Sequence, residues 1–231
     1  MTDTTTAPGS DPIPAALRER WLGGGHEPGT GRRAVHDLAA ALRDAAHALY
    51  RVDAEHADAS ALQPLADQVR AVTAVLATQP DHGAHGSTAS APLPASYLPE
   101  RSPVSGRANA LAPPLTYTHD GAITRAHVTY GAAHEGPVGG VHGGVVAAAF
   151  DELLGVAQMA AGAAGYTGEL HVRFRRITPL HVPVTYEAQV SSREGRRLVV
   201  TATSTDGTHV LAESRGTFVI QQHLGTGERS A

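Results

Sequence analysis

The sequence predicts an α+β layer: one long helix wrapped by a curved antiparallel sheet, with a helical extension ahead of it. Three observations predict this. A Gly-, Ala- and Val-rich segment beginning near Gly143 is apolar or small on nearly every side, as an enclosed helix must be. Four strand-like runs follow it, at 168–176, 182–191, 197–205 and 210–220, and one precedes it at 123–130. Glu194-Gly195 and Asp206-Gly207 separate the last three runs. Such short connections are hairpin signals and force antiparallel neighbours.

The elements are justified in chain order. Residues 1–31 are turn-rich, with the run Gly23-Gly24-Gly25, and read as a flexible lead. Residues 32–79 read as a helical hairpin. Leu38, Ala41, Leu42, Ala45, Leu49 and Val52 follow a three-and-four spacing, as do Leu62, Leu65, Val69, Val72 and Leu76. The polar segment 53–60 holds the turn. Each helix has one apolar stripe that must be buried somewhere. Residues 80–115 carry seven prolines and read as a linker or an arm lying over a surface. Asp81, His82 and His85 within it read as a solvated loop, and no metal site is expected. Residues 116–222 form the α+β domain, and 223–231 a tail.

Composition narrows the function classes. The chain has 231 residues, a net charge of −4, and 18 basic residues, all of them Arg. No basic patch dominates, so no nucleic-acid partner is expected. Cys is absent, which excludes disulfides, thiolate nucleophiles and Cys-based metal sites. The N-terminus lacks the basic start and apolar run of a signal peptide. The most apolar window, 138–164, is interrupted by Asp151, Glu152 and Gln158 and thinned by glycines, a poor membrane span. A cytoplasmic protein without a membrane partner is expected. There is no Gly-x-Ser-x-Gly elbow, dinucleotide fingerprint or P-loop. His119, His127, His171, His181 and His209 read as surface or packing residues.

The stretch from Gly136 to Glu152 carries the chemistry. A glycine-rich loop runs straight into the helix. Backbone N–H groups in a first helical turn lack intrahelical partners, and the helix dipole adds positive potential there. Gly143 and Gly144 remove the side chains that would hold a ligand away, so a carbonyl oxygen turning into an oxyanion could be bound. Asp151 and Glu152 interrupt the apolar helix. A carboxylate there must be paired or face a cleft. At about 100° per residue the two cannot share a direction, so one reads as functional and the other as structural. Eight residues from Gly143 to Asp151 span about 12 Å of helix. One helix therefore cannot easily bring both to a single acyl carbon, which must lie roughly 3–3.5 Å from its attacker. If both act on one substrate, two chains meet with antiparallel helices side by side.

Three blocks bring a family into view: Val141-His-Gly-Gly-Val-Val-Ala-Ala-Ala-Phe-Asp151, Thr167-Gly-Glu-Leu-His-Val-Arg-Phe-Arg-Arg-Ile-Thr-Pro179-Leu, and Val210-Leu-Ala-Glu-Ser-Arg-Gly-Thr-Phe-Val219. From about Tyr117 to Ile220 the chain resembles the hotdog-fold acyl-CoA thioesterases, in the phenylacetyl-CoA (PaaI-like) branch. The resemblance implies a hotdog fold and hydrolysis of an acyl-CoA thioester to an acid and CoA. Asp151 would be general base or nucleophile, and the Gly143 N–H the oxyanion donor. His142 would shape the loop and contact the thioester, with Gly144 beside it. Thr167 would hold the water near the acid, and Arg173, Arg175 and Arg176 would meet the CoA phosphates. No cofactor is implied, since CoA is part of the substrate, and the assembly would be a homodimer or a dimer of dimers (homotetramer). In one place the chain departs from the family. Where many relatives carry an Asn or Gln as second carbonyl donor, this chain reads His134-Glu135-Gly136-Pro137. Glu135 is expected to line the pocket or repel an anionic substrate. The rival reading is a non-catalytic hotdog module that binds acyl-CoA or an acyl carrier. A hotdog hydratase would need a His base and an acid at other spacings, which the chain does not display.

Overall fold

The computed structural model describes residues 29–79, 98–113, 115–163 and 165–220. The lead up to residue 28, the histidine-bearing stretch 81–85 and the tail 223–231 lie outside the described residues.

The N-terminal part contributes α1 (Thr30–Tyr50), α2 (Ala59–Leu76) and a single turn, α3 (Leu98–Arg101). Then come β1 (Thr116–His119), β2 (Thr124–Thr129), a 3-10 turn at Ala132–His134, and the long helix α4 (Gly143–Ala160). The chain closes with β3 (Gly165–Phe174), β4 (Pro183–Glu194), β5 (Arg197–Thr205) and β6 (Val210–Ile220). The six strands form one sheet in the order β1-β2-β4-β5-β6-β3, and every neighbouring pair is antiparallel. Sequence patterning omits β1 as a separate strand. It is only four residues long and reaches β2 through a tight turn at Asp120-Gly121, with Gly121 at φ 93°.

Helix α4 separates β2 from β3, which takes the far edge of the sheet. The helix buries Val146, Ala149, Phe150, Leu153, Leu154 and Ala157. The same cluster takes Val184 and Tyr186 from β4, Val200 from β5, and Phe218 from β6. The Phe150 and Tyr186 rings meet edge to face, 5.0 Å apart, an arrangement that suits the ring quadrupoles. Contact is close enough that a Cβ at Gly216 would lie 2.9 Å from Leu154 Cδ1. This is the expected hotdog arrangement. By length and apolar content α4 could cross a membrane, but here its apolar side chains are the core.

Strand β3 contains one irregularity that matters below. Thr167 pairs with Phe218 and Glu169 with Thr217, so Gly168 is an extra residue with no opposite number. A bulge of this kind reverses the side-to-side alternation of a strand. Thr167 therefore shares the helix-facing side with Leu170 and Val172, which pack on the core. Glu169, His171 and Arg173 point to the outer face.

The expected helices of the extension are present, with their connection at 51–58. They are used unequally. Helix α1 buries His36 and Ala39. Arg32 Nε lies 3.4 Å from Glu100 Oε2, and Arg43 donates to the Asn109 carbonyl at 2.7 Å. Helix α2 is capped by Asp58, whose carboxylate accepts the Ser60 N–H, yet none of its residues is buried. Its apolar stripe, with Leu65, Val69, Val75 and Leu76, stays exposed.

Candidate active site

The site is built at the start of α4. His142 is the N-cap, and its Nδ1 accepts the Gly144 N–H at 3.0 Å. That satisfies one of the donors left over at a helix N-terminus. The His142 carbonyl takes the N–H groups of Val145 and Val146. Among the described residues the Gly143 N–H meets no acceptor, and it is the donor left facing outward. Gly144 is thus occupied by the cap, while Gly143 is available. The ring beside Gly143 is apolar: a Cβ on it would lie 3.4 Å from Phe174 Cζ. Phe174 is 52% exposed despite closing a core strand. Sequence reasoning missed it, because an aromatic at the end of a strand looks like any core residue.

Two turns further along, the two acids take different partners. Asp151 is exposed and accepts the Thr167 hydroxyl at 3.0 Å. The Gly168 bulge makes that contact possible, since it holds Thr167 on the helix side. Glu152 points elsewhere: the Ser105 hydroxyl donates to its Oε1 at 2.5 Å. It also faces half-buried Tyr117, whose enclosed hydroxyl is pushed well above its usual pKa, first by burial and then by the Glu152 charge. Glu152 thus fastens the proline-rich arm to the core, while Asp151 is held only by Thr167 among the described residues.

The loop before the helix is held from several sides. His142 N–H donates to the His134 carbonyl at 2.8 Å, and Val141 N–H to Thr178 at 2.8 Å. Glu135, the residue expected to line the pocket, is engaged at both carboxylate oxygens. Its Oε1 accepts the Gly139 N–H at 2.7 Å, and its Oε2 accepts the Tyr50 hydroxyl at 2.9 Å. These bonds, the Gly139 one first, hold its pKa below the ordinary carboxylate value. The three arginines expected at CoA phosphates lie at the end of β3 and just beyond it. Arg173 stands on the outer face of the sheet, beside Thr201, Thr203 and Glu213. Arg175 is engaged with Glu213, its Nη2 2.7 Å from Oε2. Arg176 follows the strand end and is exposed. Strict alternation puts Arg173 on the side of Thr167, and the bulge reverses it.

A helix wrapped by an antiparallel sheet, with a capped glycine start and a threonine-bound aspartate eight residues on, defines a hotdog domain. Comparison with known proteins agrees. The family model described as "Thioesterase superfamily" matches residues 138–213. A solved structure, that of protein RHA08564, a thioesterase superfamily protein, is 31% identical, with a TM-score of 0.69 over 80% of this chain and 90% of that one. A curated relative, Acyl-coenzyme A thioesterase THEM5 of Homo sapiens, is 33% identical over 87 residues. That match covers 37% of this chain and 35% of the relative, so the chain spans about a third of that protein's length. The chain belongs to the thioesterase superfamily.

Proposed function

We propose that the protein is a thioester hydrolase that cleaves an acyl-CoA to a carboxylic acid and CoA. The observation that carries this reading is the pairing of a threonine-bound aspartate with an unspent N–H at a capped helix start. Family membership and the thioesterase name of the curated relative support it.

In this reading Asp151 takes a proton from water, and the oxygen attacks the thioester carbon. The carbonyl oxygen becomes negative and accepts the Gly143 N–H, aided by the helix dipole. The tetrahedral intermediate expels the CoA sulfur, which leaves with the proton from Asp151. Direct attack by Asp151, followed by hydrolysis of the anhydride, uses the same groups. His142 and Thr167 position the donor and the acid. Phe174 offers an apolar wall beside the carbonyl. Because Gly143 and Asp151 of one helix stand about 12 Å apart, the reading includes a homodimer whose sites draw on both chains. The exposed edge of β3 and the exposed Phe174 suit such an interface. The cytoplasmic setting expected from the sequence belongs to the same reading.

The test is release of free CoA from short, medium, long and aromatic acyl-CoAs. The chain has no Cys, so a thiol-reactive dye reports product alone. Turnover is expected on at least one class, and Asp151→Asn should reduce kcat by roughly 10²–10⁴-fold with the fold intact. Acyl-CoA binding without turnover on any thioester would instead establish the non-catalytic module.

A further inference from the structure

Helix α1 lies outside the segment matched to the family, yet its last turn touches the loop that delivers Gly143. Two side chains make the contact. The His47 Nδ1 accepts the Ala133 N–H at 3.0 Å, across 86 residues of sequence. Its ring stands edge-on to His134, centroids 5.0 Å apart, and His134 in turn meets Tyr130 at 5.6 Å. His47 also fills the space beside Gly131, where a Cβ would lie 2.7 Å from the imidazole. One turn on, Tyr50 donates to Glu135, the carboxylate that also holds the Gly139 N–H.

We propose that Tyr50 and His47 are positioning residues of the active site, through which the N-terminal helix holds the 131–142 loop and aims the Gly143 N–H. The path has no gap. His47 fixes Ala133 and the His134 ring, and the His134 carbonyl accepts the N–H of His142. Tyr50 fixes Glu135, which is bridged to Val141. One route ends on the N-cap His142 and the other on Val141 just before it. Glu135 is here a staple between loop and helix. A donor must sit within a few tenths of an ångström of the developing oxyanion, and an ångström of drift costs about a hundredfold in rate. The clamp therefore acts on kcat more than on binding.

The clamp rests on the thioesterase reading for its catalytic role, but its structural content can be measured without turnover. In the full-length chain, hydrogen exchange of peptides covering 131–142 should speed up several-fold in Tyr50→Phe and in His47→Ala, with β5 and β6 unchanged. In steady-state kinetics both variants should lower kcat by about three- to tenfold, with KM within about twofold. His47→Asn should recover most of the loss, because the Asn Oδ1 is bonded to Cγ as the His Nδ1 is and can accept the Ala133 N–H. Unchanged loop exchange in both variants would overturn the clamp, and so would a rise in KM at constant kcat. If wild type turns over no thioester, the activity reading fails while the exchange data still decide whether the clamp exists.

Discussion

Adjacent acids on one helix make the sharpest comparison at the scale of single residues. Asp151 and Glu152 differ by one position, yet one accepts a hydroxyl at the exposed site and the other anchors the arm through Ser105. Their substitutions should separate cleanly. Asp151→Asn should abolish turnover and leave the unfolding midpoint nearly unchanged. Glu152→Gln should lower stability by about 1–3 kcal/mol, the usual cost of removing a charged hydrogen-bond partner from a half-buried site, with kcat retained. Urea unfolding beside CoA release would decide it, and the reverse pattern would exchange the two roles. The sequence made this pair legible because acids in an apolar helix are a local anomaly. It could not tell which acid does which, since their partners Ser105 and Thr167 lie 47 and 16 residues away in the chain.

At the scale of elements, legibility follows contact range. Helix α4 and the last three strands are readable from local pattern and from the two X-Gly hairpins. The role of α1 is not, because Tyr50 and His47 find their partners 85 and 86 residues away. The bulge in β3 was equally invisible, since a glycine between Thr167 and Glu169 looks like any other. The junction of α1 with the loop should respond to acid. His47 and His134 each accept a backbone N–H at Nδ1, so neither can take a proton there without losing the bond. Burial pushes both below the ordinary 6.5. For His47, Asp44 works against this, while Arg51, His181 and Arg43 add to it. For His134, the neighbouring His47 adds to it. A histidine with a depressed folded-state pKa is protonated more readily in the unfolded chain. Its contribution is therefore complete above about pH 7 and is lost as pH falls through 6.5 toward the folded values. The unfolding midpoint should drop between about pH 7.5 and 5.5, and the drop should shrink when both histidines are replaced by Asn. An unchanged pH dependence in the double variant would mean that other groups dominate.

For the whole molecule, the 12 Å between donor and acid turns a catalytic question into one of assembly. Gly143→Pro removes the N–H at the first helical position, where proline is well tolerated, and should cost about 10²–10³-fold in kcat. Asp151→Asn removes the acid. Each variant alone should be inactive. Unfolded and refolded together, they should regain about a quarter of wild-type activity, because half the dimers of a two-fold assembly then hold one intact site. No recovery would place both groups in one chain's own site. The unpaired glycine of β3 bears on the same whole. It acts as a reading-frame marker for the strand: ahead of it the side chains are counted for chemistry, and behind it for the core. Drawing that residue into the ladder would leave the composition untouched, yet Thr167 and Val172, then five regular positions apart, could no longer both face the helix. The bulge thus spares the strand a choice between holding the acid and closing the core.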